Sequence, residues 1–392
     1  MFLFSALALL HGCTDGPGDT GEDTSAIEYT GCRARPQRAD RNRTVVVSIP
    51  YDDQGGQSED WRSLTLSAEG SLDTDGQLFK MGRATGGEVA FTPDGEIGLV
   101  AQSDGSVGVF AVEEDGAIQV IHEHFDGPFF AERVLTDSSG ETLWILDSNW
   151  VVNGGGLYRA DIDCDTGELT GVELAVESML AKDLLLDPAG TGSAILVGRE
   201  VPGTNVGDDL ALVDLNSPTE ALAGADAFGD DEAIMSDATW IPDGRYALVG
   251  DHSAFSGIPN RVAVVEVGEG TLTAVDLVED LNDPVALVAS PWSDQVLVLS
   301  GYDNAIYRLA STGDDTHPFQ WTGELTYQGA DPQLPTAASL LTRGPLAGHL
   351  LVTENQGVRQ VQMSEGAEAE DLGLTSLGSS YEAIAGAVGV QP

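Results

Sequence analysis

From Thr44 onward one pattern returns about every 50 residues, and a period of that size points to repeated supersecondary units rather than to separate domains. Its clearest copy spans residues 88–121, where short apolar runs are broken by Pro93-Asp94-Gly95, Ser103-Asp104-Gly105 and Glu114-Asp115-Gly116. Asp-Gly supplies the positive φ that tight hairpins need, so the copy reads as four short strands. The same order recurs with varied loops in residues 132–146 with 157–176, 183–197 with 210–222, and 237–250 with 261–277. Two further copies run over residues 284–309 and 336–372. Apolar segments such as 246–250 and 296–299 are too short for helices and lie between turn signals.

Six full copies are flanked by two fragments. The N-terminal fragment carries segments 44–49, 61–66 and 77–79, which match a unit's second, third and fourth strands. The C-terminal fragment, 382–390, matches the missing first strand. Joined, they make a seventh unit and remove the open sheet edges that a linear stack would expose. The expected fold is therefore an all-β, seven-bladed β-propeller over residues 44–392, with four antiparallel strands per blade and a ring closed by the C-terminal strand. Repeats of this form resemble the lactonase-like and YVTN-type bacterial β-propellers, a resemblance that covers roughly residues 44–390 and specifies fold better than function.

The chain has 64 acidic against 17 basic residues, a formal charge of −47, and its lysines are Lys80 and Lys182. Such a field repels DNA, RNA and anionic lipid, so nucleic acid is excluded as an expected partner. The five arginines of residues 33–43 are expected to lie against the acidic body, the alternative being that they grip an anionic surface polymer.

Residues 2–10 form an apolar run too short to span a bilayer. It suits the apolar region of a signal peptide, and Leu10-His11-Gly12-Cys13 resembles the lipobox of bacterial lipoproteins. That resemblance implies cleavage before Cys13, lipid attachment to it, and a location in the outer membrane or at the cell surface, since Thr14 rather than Asp follows the cysteine. The expected organisation is a signal peptide over 1–12, a tether over 13–43 and the propeller beyond, with contact to the membrane through the lipid alone. If Cys13 carries lipid, Cys32 and Cys164 form the one possible disulfide in an oxidising compartment.

In a four-stranded blade the loop between the second and third strands lies on the same face as the link to the next blade. Long loops crowd that face, which makes it the expected binding face. On it fall His122, His124, Phe129, Phe130, Trp150, Asp251, His252 and Phe255. Glu88, Glu132, Asp183, Asp237 and Glu382 each precede the innermost strand of a blade. Closed into a ring, they are expected at the channel mouth, where like charges raise one another's pKa or recruit Ca2+ or another divalent cation. No cofactor is otherwise required. The run Asp161, Asp163, Asp165, Gly167 has calcium-loop spacing but occupies a hairpin position, which favours a plain turn.

No GxSxG elbow, P-loop, HExxH or dinucleotide fingerprint is present. The leading expectation is a monomeric, lipid-anchored binding or scaffold protein of the cell envelope, presenting its long-loop face to a protein or glycan. The alternative is a lactonase-like hydrolase in which channel carboxylates hold a divalent ion and a loop histidine such as His252 moves protons.

Overall fold

In this computed structural model the residues described are Cys32 and 41–392, apart from 150–154, 230–232, 253–259, 367 and 379. They form seven antiparallel sheets. Six blades are continuous in sequence, with innermost strands Ala90–Phe91, Ala131–Thr136, Met179–Leu186, Met235–Trp240, Pro284–Ala289 and Ala337–Leu340. The seventh is assembled from both ends of the chain. Val388–Val390 is its innermost strand, followed outward by Arg43–Tyr51, Gln57–Leu66 and the short pieces Leu72–Asp73 and Leu78–Lys80. The expected ring closure is thus present, with Val45 opposite Val390 and Val47 opposite Val388. The closing strand is shorter than expected, because Tyr381–Ala383 makes a 3-10 turn instead of extending it.

The continuous apolar runs follow from this architecture. Every blade is covered on both faces, so both sides of its inner strands are buried, as in Tyr246–Asp251 and Val296–Ser300. Alternation then divides neighbours between two gaps: Val45, Val47 and Ile49 pack against the sixth blade while Val46 packs against the first. Seven apolar clusters result, one in each gap between adjacent blades. The outermost strands meet water and are largely exposed, as Leu169–Glu177 is between its buried Leu169 and Val176. Positive φ at Gly95, Gly105 and Gly116 closes the three Asp-Gly turns of the first blade.

Cys32 and Cys164 form a disulfide across 132 residues of sequence, fastening the segment before the propeller to an outer hairpin of the second blade. No helix among the described residues is long and apolar enough to cross a membrane.

Candidate functional site

The blades share a common register at the channel. In each, the residue just after the innermost strand donates its N–H to the carbonyl of the first residue of the second strand or its neighbour: Thr92, Asp137, Asp187, Ile241, Ser290, Leu341 and Gln391. Counting four residues back from each gives Glu88, Arg133, Asp183, Asp237, Ala286, Ala337 and Ala387. These seven positions form one layer around the axis. Four consecutive blades supply charged groups and three supply alanine, so one half of the channel wall is ionic at this level and the other is bare.

Within the layer Arg133 is the hub. Its Nη1 lies 2.8 Å from Asp183 Oδ2 and closer still to Asp237 Oδ1. Each aspartate also reaches into the next blade: Asp183 accepts the Ala238 N–H at 2.9 Å, and Asp237 accepts the Leu287 N–H at 2.7 Å. These donors stand on the inner edge of a sheet, where no further strand supplies a partner, so the carboxylates satisfy groups that would otherwise be costly to bury.

Burial raises the pKa of Asp183 to about 7; Arg133 opposes the shift and Asp237 adds to it. One guanidinium cannot compensate both desolvation and a second carboxylate. Glu88 is wetted inside the channel yet ringed by protein, and the protein around it holds its carboxyl above the usual range despite Arg133 and Ser339. Arg133 itself is held firmly protonated by the three carboxylates.

Two cavities meet at this layer. One, of about 630 Å3, runs from Glu132 and Lys182 past the layer to Pro242 and Arg343; the other, of about 670 Å3, runs from the layer to Arg343 and Arg41. Glu88 and Arg133 line both.

Of the five carboxylates expected to ring the mouth, Glu88, Asp183 and Asp237 are brought together. Glu132 is one residue out of register: the second blade places Arg133 in the layer, and Glu132 bonds Lys182 one level away. Glu382 is exposed on the 3-10 turn, five residues before its blade's layer position. The positive charge among the carboxylates is therefore a side chain of the same chain. No group of three or more His, Cys, Asp or Glu with metal-ligand geometry occurs among the described residues.

The expected binding-face residues do not converge. His122 pairs with Glu168 at 3.0 Å, and His124 with Asp104 at 2.9 Å. His252 lies against Asp283 in an ion pair not aligned as a hydrogen bond, and that carboxylate holds its pKa above the usual value. Phe129 is a core residue packed on Phe125 and Tyr158, while Phe130 is exposed. Trp150 and Phe255, like Cys13, lie outside the described residues.

Asp251 is fully buried and accepts from Arg261 Nε at 3.1 Å and from the Ile234 N–H, so it clamps the base of its loop. Arg199 with Asp209, and Arg359 with Glu354, do the same in the third and sixth blades. Buried ion pairs thus fix the long loops of the third and fourth blades where they leave the sheets, and in the sixth blade the preceding link, through Ala330 and Gln333.

No family model matches this chain, and no curated protein matches it. Its fold has solved counterparts. A Bacteroides fragilis protein provisionally named a 6-phosphogluconolactonase aligns with a TM-score of 0.63 at 12% identity, covering 91% of this chain and 99% of that one. The periplasmic gluconolactonase of Pseudomonas aeruginosa aligns with a TM-score of 0.61 at 15% identity, covering 90% and 99%. Hydrazine synthase of Kuenenia stuttgartiensis aligns with a TM-score of 0.55 at 14% identity, covering 81% and 96%. At such identities the likeness establishes the fold alone, a seven-bladed β-propeller.

Proposed function

We propose that this chain is an exported propeller that binds a small oxygen-rich molecule at the Glu88–Arg133 layer and hydrolyses it as a cyclic ester. The observation that carries the reading is the state of Arg133. Two aspartates hold it from one side through Nη1, while Nε and Nη2 have no protein partner among the described residues and are not sealed from water. A guanidinium fixed in this way presents donors to a carbonyl oxygen without having to reorganise.

In the reaction, water attacks the ester carbonyl carbon and Glu88 accepts its proton. Arg133 meets the charge that develops on the carbonyl oxygen. The ring C–O bond then breaks, and the leaving oxygen takes the proton back from Glu88, so that one water is added overall. The raised pKa of Glu88 makes it a better proton acceptor than an ordinary carboxylate. Here the electrophile is Arg133 rather than a divalent ion. The gluconolactonase propellers among the structural counterparts support the same chemistry by analogy of fold alone.

Export is supported by the Cys32–Cys164 disulfide, a bond that persists in oxidising compartments. The lipid anchor at Cys13 and a place at the outer membrane or cell surface rest on the sequence resemblance.

The test is turnover of a panel of sugar lactones, glucono-δ-lactone first, by wild type and by Glu88→Gln. A loss of about 100-fold in kcat/KM is expected from removing the proton carrier. No turnover above the buffer rate, or full activity in Glu88→Gln, overturns the reading.

A second reading, docking of an envelope partner on the long-loop face, is favoured by where the exposed apolar side chains lie. Phe130, Val206, Ile234, Tyr302, Leu334 and Tyr381 all stand in loops of that face, whereas among the described large apolar residues Leu222 and Trp292 are exposed in the turns of the opposite face. Val206→Ser with Tyr302→Ser should release such a partner in a cross-linked envelope pull-down while leaving lactone turnover intact. Unchanged capture would rule the reading out.

A further inference from the structure

The tight-turn end of the channel has a different chemistry from the layer above it. Its cavity of about 670 Å3 has the size of a small-molecule site. Between the Glu88–Arg133 layer and the mouth its walls are largely apolar, with Phe91, Leu135, Leu341 and Pro392 among them. At the mouth stand Arg41 and Arg343, both exposed.

Those two arginines are unusual in this chain. Carboxylates outnumber basic residues 64 to 17, and seven of the described arginines, from Arg133 to Arg359, take a carboxylate partner. Arg62 and Arg83 bond backbone carbonyls, and Arg43 is partnered. Arg41 and Arg343 alone among the described arginines have no partner. Asp94, the one carboxylate in the lining besides Glu88, is buried and turned to the Thr92 hydroxyl at 2.7 Å and the Glu96 N–H at 3.0 Å, so it closes its own turn rather than neutralising them.

We propose that this end of the channel is a binding site for an amphiphilic carboxylate, with Arg41 and Arg343 taking the carboxylate and the apolar walls taking an acyl chain. Charge fixes the orientation. A headgroup at the mouth meets two guanidiniums, which suit carboxylates in geometry as well as in charge. Reversed, it would face Glu88 and an Arg133 whose charge is already shared by Asp183 and Asp237. Length fixes the class. Glu88 and Phe91 are three residues apart, which at about 3.3 Å per residue sets roughly 10 Å of apolar wall below the charged layer. That accommodates a medium-length chain. The cavity adjoins the proposed hydrolytic layer, with Glu88 and Arg133 at its inner end, but carboxylate binding at Arg41 and Arg343 requires no turnover.

Isothermal titration of the full chain with octanoate, octanol and acetate tests the proposal, alongside Arg41→Gln, Arg343→Gln and the double variant. Octanoate should bind, and octanol and acetate should each bind at least about tenfold more weakly, because each lacks one half of the recognition. Each single variant should weaken octanoate by about five- to tenfold and leave octanol unchanged. Equal binding of octanol and octanoate would show apolar adsorption only. Equal binding of acetate would show an anion site without an acyl pocket. Either result, absence of octanoate binding, or full affinity in the double variant overturns the proposal. Both arginines are exposed, so their loss does not threaten the fold, and circular dichroism of the variants verifies this.

Discussion

Replacing Arg133 by Met keeps the volume of the side chain and removes the one cation of the channel layer. Asp183 and Asp237 are then left with side chains only 1% and 11% exposed and no counter-charge. Removing one partner of a buried ionic cluster costs about 3–5 kcal/mol when the other charge persists. The cost must depend on pH. In the native protein Asp183 titrates at about 7, against 3.8 in an ordinary aspartate. Its proton is thus bound more tightly by the folded chain than by the unfolded one. A raised carboxylate pKa contributes stability that is present below the unfolded value and lost as pH rises through the folded value. In wild type that decline falls between about pH 4 and 7 and amounts to at most about 4 kcal/mol, at 1.36 kcal/mol per pKa unit. In Arg133→Met the window moves upward, since nothing opposes desolvation. At pH 5 a protonated Asp183 can donate to Asp237, so the variant loses less than at pH 8, where two charges would share the site. Urea unfolding followed by tryptophan fluorescence should show a destabilisation larger at pH 8 than at pH 5 by about 2 kcal/mol. Arg159→Met, whose pair with Asp161 is exposed, should cost under about 0.5 kcal/mol at either pH. Equal losses for Arg133→Met at both pH values would refute the assignment of a coupled, buried charge layer.

Glu88→Gln should flatten part of the same acid-side dependence: burial raises the Glu88 pKa, so wild type loses stability as pH rises through it and the amide variant does not. Stability curves of the two proteins from pH 4 to 8 compare this directly. Arg359→Met should cost about 3–5 kcal/mol, because Glu354 and Asp371, both buried, lose their shared partner; a chemical melt reads it. Reducing the Cys32–Cys164 bond, which spans 132 residues, should lower stability by up to about 5 kcal/mol and the melting temperature by several degrees, measured with and without dithiothreitol.

Much of the fold was legible in the sequence, for a physical reason. Blades buried on both faces need unbroken apolar strands, and hairpins between them need Asp-Gly, so runs such as 97–101 and turns such as 94–95 declare themselves locally. The shared seventh blade was legible too, because its missing strand had to lie somewhere in the chain. The site was less so. Carboxylates were chosen for standing near a strand start, whereas the layer is set by register counted back from the turn. In the second blade Asp137-Ser138-Ser139-Gly140 replaces Pro-Asp-Gly, and aligning that turn with Thr92–Gly95 would have selected Arg133 instead of Glu132. The pairs Arg199–Asp209 and Arg261–Asp251 bridge ten residues, and Arg133 reaches blades 50 and more residues away. No local spacing encodes such contacts. Nor does spacing distinguish Phe129, which fills a gap between blades, from Phe130, which does not.

The closed ring is what places Glu88, Arg133, Asp183 and Asp237 around a single channel, and the closing strand is the part that can be removed. Val388 and Val390 are buried against the sixth blade, and burying two valines contributes about 3–6 kcal/mol before the paired backbone groups are counted. A chain ending before Glu382, compared with the full chain by urea unfolding and limited proteolysis, measures the contribution of closure. A loss of at least about 3 kcal/mol with new cleavage sites in residues 43–66 is predicted. Undiminished stability with an unchanged digestion pattern would contradict the closed ring and the charged layer built on it.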